Sequence, residues 1–165
     1  MPETASFSAM PKPVLQTPAP DFTAPVIGGH YQDGDTVTLS QLRGRKVVLY
    51  FYPKDDTPGC TKQACGLRDG WKSISKKALV FGVSTDPIKR HAKFIQKYEL
   101  PFPLIADEDH QIVNAYGVWV EKSLYGRKYM GTERSTVVIG QDGRIAAILE
   151  KVKPEAHLEA VLTVL

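Results

Sequence analysis

Between Lys46 and Tyr52 the chain reads Lys-Val-Val-Leu-Tyr-Phe-Tyr and then stops at Pro53. A run that is apolar nearly throughout, without alternation, describes a strand buried on both faces, as in the middle of a parallel sheet. A short loop on, Thr57-Pro58 supplies a helix-start signal: a hydroxyl at the cap position, then proline in the first turn. This pairing constrains the fold strongly. A strand–helix–strand crossover is right-handed, so the Pro53–Cys60 loop lies at the carboxyl end of the central strand. Open α/β sheets place their chemistry there.

The remaining segments fit that frame. The spacing predicts a helix from Pro58 to about Ser75 and a second buried strand over Ala78–Thr85. A helix starting at Asp86-Pro87 carries Ile88, His91/Ala92, Ile95 and Tyr98 on one stripe. Thr36–Leu39 and Phe102–Ile105 read as further strands. Thr136–Ile139 and Arg144–Glu150 flank Gly140-Gln-Asp-Gly143, a hairpin signal. Pro154 opens a last amphipathic helix with Leu158, Val161, Leu162 and Leu165 facing inward. The expected architecture is an α/β fold with a mixed central sheet flanked by helices. At 165 residues the chain suits one domain with one sizeable core. Five prolines fall within residues 1–20, and residues 1–14 read as a flexible leader ahead of a single domain over 15–165.

Charge and apolar runs exclude several classes. The net charge of +3 comes from 21 basic and 18 acidic residues. Its short clusters, Arg43–Lys46 and Lys76–Lys77, form no basic stripe, so no nucleic-acid partner is expected. No apolar run approaches the ~20 residues of a membrane helix. The N-terminus lacks the basic start and apolar core of a secretory signal. Two cysteines five positions apart, Cys60 and Cys65, are no disulfide framework, and the expected compartment is the cytoplasm. Two cysteines and scattered histidines (His30, His91, His110, His157) give no zinc pattern. Asp107-Glu-Asp-His110 reads as a solvated loop and helix cap rather than a metal site.

Projected at 100° per residue, Cys60 shares a stripe with Ala64, Leu67, Trp71 and Ile74, which should face the sheet. Cys65 lies about 140° away on the opposite flank. Cys60 is thus both sheet-facing and in the first helical turn, where free N–H groups and the positive helix end favour a thiolate. A small core residue would occupy the same place, and position alone leaves the inert and the reactive readings open. The threonine, proline and glycine just ahead of Cys60 tilt it toward reactivity. In an intact helix residues five apart have Cα atoms roughly 8–9 Å apart, whereas a disulfide needs less than about 7 Å. A Cys60–Cys65 bond therefore requires the first turns to unwind.

The segment Tyr50-Phe-Tyr-Pro53-Lys-Asp-Asp-Thr57-Pro-Gly-Cys60-Thr-Lys-Gln-Ala-Cys65 resembles the active-site segment of peroxiredoxins, in particular the peroxiredoxin Q or bacterioferritin comigratory protein subfamily. Pro53, Thr57 and Cys60 meet the family pattern Pro-x-x-x-Thr-x-x-Cys, and Cys65 stands where many members carry a second cysteine. Tyr116-Gly-Val-Trp119, Tyr125–Gly131 and Glu133-Arg-Ser-Thr136 look like the same subfamily, and the resemblance covers roughly residues 15–165. Gln63 stands where an acidic residue is frequent, and Gly70-Trp71 follows the usual Arg68-Asp69; neither is expected to touch the core motif.

The resemblance implies a thioredoxin-like fold with peroxiredoxin additions, acting as a thiol peroxidase. Cys60 would be the peroxidatic nucleophile and Cys65 the resolving thiol. Thr57 would hydrogen-bond peroxide and thiolate, Pro53 would shape the pocket, and Arg134 would lie beside Cys60. The implied partners are hydroperoxide substrates and thioredoxin or a similar dithiol reductant, with no metal, haem or flavin cofactor, and the implied state is a monomer. Two rivals use the same cysteines: a general thiol–disulfide oxidoreductase, against which the absence of Cys-x-x-Cys argues, and a redox sensor or holdase that unfolds on oxidation.

Overall fold

The computed structural model describes residues 12–165. Nine strands, five α-helices and two short 3₁₀ helices are assigned among them. The long apolar run becomes β3 (Val47–Phe51), buried at every position. Val47, Leu49 and Phe51 pack into one core layer, and Val48, Tyr50 and Tyr52 into the other. Strict two-residue alternation, with both faces covered, is what makes the sequence read as a continuous apolar run.

Around it lie β1 (Thr23–Ile27), β2 (Thr36–Thr38), β4 (Leu79–Ser84), β5 (Leu104–Ala106), β8 (Ser135–Ile139) and β9 (Ile145–Glu150). They form one seven-stranded sheet ordered β2-β1-β5-β4-β3-β8-β9. β3 pairs parallel with β4, and β4 with β5. The β1, β2, β8 and β9 pairings are antiparallel. The mixed sheet is as expected, and α1 (Pro58–Asp69) starts just beyond the carboxyl end of β3.

The structure corrects several boundaries. The first helix does not run on to Ser75. It breaks at Gly70, and a separate turn, α2 (Trp71–Ile74), follows. A side chain at residue 70 would collide with Leu158, so the glycine both ends α1 and seats the last helix, α5 (His157–Val164). The strand expected over Phe102–Ile105 begins only at Leu104, after Pro103. In α3 (Ile88–Tyr98) the fully buried residues are His91 and Phe94; Phe94 lies outside the predicted stripe. The short α4 (Gln111–Ala115) follows the expected cap at Asp107–His110, whereas β1 and the β6–β7 hairpin (Trp119–Leu124 and Arg127–Thr132) have no counterpart in the sequence reading.

Residues 1–11 of the expected leader lie outside the described residues. Lys12 Nζ bonds Glu133 at 2.8 Å and Glu150 at 2.6 Å, and from Gln16 the backbone runs beside β9, the Gln16 N–H donating to the Ile145 carbonyl and the Ile145 N–H to the Thr17 carbonyl. No helix among the described residues is long and apolar enough to cross a membrane.

Candidate active site

The site is built where β3 hands over to α1. Thr57 is the N-cap of α1, in extended conformation, with Pro58 in the first turn. The expected side-chain cap does not form. The Thr57 hydroxyl instead donates to the carbonyl of Lys54 at 2.8 Å, tying the loop to itself. The first backbone bond of the helix is Thr61 N–H to Thr57 C=O, 2.8 Å. The Gly59 and Cys60 amides precede it and point out of the helix end without an intrahelical acceptor.

Cys60 faces the sheet, as its stripe predicts. It is 2 % exposed and packs in one core layer with Val48, Tyr50, Tyr52 and Ala64. Its sulfur is not left in an apolar pocket. Arg134, between β7 and β8, donates Nη2 to Cys60 Sγ at 3.2 Å. A Cβ on Gly59 would lie 3.3 Å from the same nitrogen, so the glycine leaves the guanidinium room at the helix end. A cation and the positive end of a helix therefore converge on one buried sulfur.

Gln63 is the residue the sequence reading misplaced. It was expected to stand clear of the core motif. Instead it is 1 % exposed, and its Oε1 accepts Arg134 Nη1 at 2.5 Å. One turn along α1 from Cys60, it holds the guanidinium that holds the sulfur. The signal available in the sequence was its spacing from Cys60, three residues and so one face of the helix. Lys122 on β6 was also missed. It donates to the carbonyl of Thr132, and burial together with the Arg134 charge lowers its pKa.

Cys65 is half-buried, on the other flank of α1, and both thiols are free. α1 is continuous across both residues, so the thiols are in the separated arrangement expected before the helix opens. Pro53 is half-buried at the head of the loop. The structure thus brings Cys60, Arg134 and the Pro53–Thr57 loop together, and keeps Cys65 apart.

Asp107–His110 is a loop and helix cap, as expected, with Glu108 and Asp109 exposed; only Asp107 is withdrawn from solvent. Asp107 is 1 % exposed and accepts the Ile112 and Val113 amides at 2.8 to 3.0 Å. Burial outweighs those bonds and raises its pKa to about 6.

A family model described as the AhpC/TSA family matches residues 15–148. The chain is 45 % identical over 133 residues to peroxiredoxin Bcp of Bacillus subtilis, covering 80 % of this chain and 85 % of that one. It is 43 % identical over 145 residues to peroxiredoxin Bcp of Escherichia coli, covering 87 % and 90 %. A crystal structure of a cysteine-to-serine variant of Xylella fastidiosa PrxQ superposes with a TM-score of 0.83 at 31 % identity, covering 93 % of this chain and 96 % of that one. Xanthomonas campestris bacterioferritin comigratory protein, a structure reported for its alkyl peroxide reduction activity, gives 0.77 at 34 % identity, covering 86 % and 88 %.

Proposed function

The chain belongs to the AhpC/TSA family, as a thioredoxin-like thiol peroxidase of the Bcp/PrxQ type, and on that premise we propose that Cys60 reduces hydroperoxides while Cys65 and a dithiol protein regenerate it. The observation that carries the proposal is the 3.2 Å bond from Arg134 to the buried sulfur of Cys60 at the first turn of α1.

The Cys60 thiolate attacks one oxygen of the hydroperoxide along the O–O axis. The O–O bond breaks, and its electron pair leaves with the distal oxygen as hydroxide or alkoxide, which takes a proton to become water or an alcohol. Donors poised where that charge gathers accelerate the step. Arg134 and the Gly59 and Cys60 amides are the candidates. Thr57, its hydroxyl hydrogen given to Lys54, keeps lone pairs free to accept a proton-bearing peroxide oxygen. Pro53 would limit water at the mouth. The product is Cys60 sulfenic acid. The Cys65 thiolate then attacks the Cys60 sulfur, hydroxide leaves as water after protonation, and a disulfide forms. A dithiol reductant of the thioredoxin type exchanges with that disulfide and restores both thiols. Organic hydroperoxides are proposed as substrates beside hydrogen peroxide, supported by the alkyl peroxide activity of the Xanthomonas relative.

The test is peroxide turnover coupled to thioredoxin for wild type, Cys60→Ser and Cys65→Ser. Cys60→Ser should abolish turnover. Cys65→Ser should consume one equivalent of peroxide and then stop. Full activity in Cys60→Ser would overturn the assignment.

A further inference from the structure

The loop that delivers Cys60 is fastened to α3 by a buried group outside the peroxide site. Asp55 and His91 both have side chains with no solvent exposure. His91 Nδ1 lies 2.6 Å from Asp55 Oδ2, and His91 Nε2 lies 2.9 Å from the carbonyl oxygen of Ile105 on β5. A carbonyl only accepts, so Nε2 carries a hydrogen. A bare Nδ1 would then set its lone pair against the carboxylate. One proton therefore lies between Nδ1 and Oδ2.

The surrounding groups lock the pair in place. Tyr52, just past β3, donates its hydroxyl to Asp55 Oδ1 at 2.5 Å. Asp86, ahead of α3, accepts the Asp55 amide at 2.8 Å and the Ser84 hydroxyl at 2.7 Å. Arg90 Nε is 3.3 Å from Asp86 Oδ1, and Arg90 Nη2 donates to the Asp55 carbonyl at 3.3 Å. The charged and titratable groups are thus two carboxylates, one guanidinium, one imidazole and one phenol. Arg90 offsets Asp86, and the single proton between Nδ1 and Oδ2 leaves the Asp55–His91 pair neutral in sum wherever along that bond it sits, so no buried charge is left unbalanced. The spacing of Asp55, Asp86 and His91 would also suit a metal ion, but their donor atoms are committed to one another and to Arg90.

We propose that His91 is the positioning residue of the Cys60 loop: one ring nitrogen grips Asp55 through the shared proton, and the other N–H grips the sheet at Ile105. The inference rests on Cys60 being the peroxide-attacking thiol. Asp55 lies between Pro53 and Thr57, so the grip fixes both, and with them the start of α1. Its neighbour Asp56, in left-handed conformation at φ 59°, reinforces the attachment from outside through Lys97 at 2.9 Å and Tyr98 at 2.8 Å. Both belong to α3, which becomes the platform for the loop. When α1 unwinds so that Cys65 can reach Cys60, the anchored loop is the point at which unwinding stops.

Two measurements on the full-length reduced protein test this. In protein labelled with ¹⁵N-histidine, one ring of the four histidines should show a protected hydrogen on Nε2 and a second protected hydrogen in the bond between Nδ1 and Asp55. In Asp55→Ala the second should vanish while the Nε2 hydrogen stays. If no ring of the wild type shows the second hydrogen, the Asp55–His91 grip is disproved. In stopped flow with hydrogen peroxide, His91→Leu should slow Cys60 oxidation by about tenfold or more, since small misplacements of a reacting group are costly. Asp55→Asn, keeping the hydrogen bonds, should lose no more than about threefold. Hydrogen exchange of the amides at 59–62 should quicken in His91→Leu and not in Asp55→Asn. Should His91→Leu fail to fold, Asp55→Ala is measured with the same expectation. Wild-type oxidation rates in His91→Leu or Asp55→Ala would overturn the positioning role. Turnover surviving in Cys60→Ser would instead overturn the assignment of the nucleophile and leave the ring N–H result standing.

Discussion

Cys60 and Cys65 share one helix and little else. The Cys60 flank of α1 is buried against β3, with Ala64 and Leu67 at 0 % exposure beside it and Arg134 and Gln63 bonded in series to its sulfur. The Cys65 flank is half-buried, and among the described residues no hydrogen bond reaches that thiol. Two halves of one proposed cycle thus have opposite structural needs. Attack on peroxide gains from a sulfur and donors fixed before substrate arrives. Disulfide formation needs the same helix to come apart, because five-residue spacing in an intact helix is too wide for a bond. A rigid flank and a yielding helix coexist because the rigidity is anchored from outside α1, in Arg134 and in the loop held by α3, while the helix itself is only moderately favoured. Gly66 falls in the interior of its twelve residues, where glycine weakens a helix.

The largest break in this contrast comes from the fixed flank. Arg134→Met keeps bulk and removes the donor to Cys60. Loss of one such donor costs about 10²–10³ in rate, so the second-order rate of Cys60 oxidation should drop by that factor in rapid kinetics. Disulfide formation from pre-formed sulfenic acid should change little. A faster disulfide step with the peroxide step unchanged would show that Arg134 holds α1 closed rather than serving the chemistry. Gln63→Leu should move the oxidation rate in the same direction by a smaller factor.

How far this flank was readable in the sequence is instructive. The run Lys46–Tyr52 and the Thr57-Pro58 signal locate the strand, the helix and the inward stripe, because each rests on local periodicity or local turn chemistry. Arg134 became readable only through resemblance, since nothing local distinguishes a catalytic arginine from a surface one. Gln63 was legible in position but not in role: its partner lies 71 residues away. The His91–Asp55 pair spans 36 residues, and His91 on an amphipathic helix reads as an ordinary stripe residue. The β6–β7 hairpin escaped for another reason. Most of its residues are exposed, so neither face imposes alternation, and its turn is Tyr125-Gly126, both at positive φ, in place of the Asn-Gly or Asp-Gly that announces such turns.

A second, smaller effect tests what lies beneath the fixed flank. His157 opens α5, which packs against α1. It is 1 % exposed, and its Nε2 lies 2.7 Å from the Thr136 hydroxyl. Burial, and then the charge of Arg134, lower its pKa from 6.5 to about 4. A base with a depressed folded pKa contributes stability that is present above the unfolded value and is lost as pH falls toward the folded one. The window is therefore pH 6.5 down to 4. At about 1.4 kcal/mol per unit, the loss across it is ~3 kcal/mol. Denaturant melts at pH 7 and pH 4.5 should show the decline, and His157→Gln should flatten it. An unchanged slope in that variant would assign the acid sensitivity elsewhere, for instance to other groups that gain protons over the same range.

The finest test acts on the yielding side. Gly66 sits in α1 beside Cys65, with open space where a Cβ would go. Gly66→Ala should stabilise the helix by about 0.5–1 kcal/mol without touching Cys60 or Arg134. If unwinding precedes attack by Cys65, that energy appears as a two- to fivefold slower disulfide step, with the peroxide step unchanged. The delay has a visible cost. Cys60 sulfenic acid that waits longer is exposed longer to a second peroxide, which carries it to sulfinic acid and inactivates it. Peroxide-dependent inactivation per turnover should therefore rise by the same factor by which disulfide formation slows. Equal shifts in the two would tie helix opening to resolution. A slower disulfide step with unchanged inactivation would separate them, and an unchanged disulfide step would mean that Cys65 reaches Cys60 by a route in which the middle of α1 never opens.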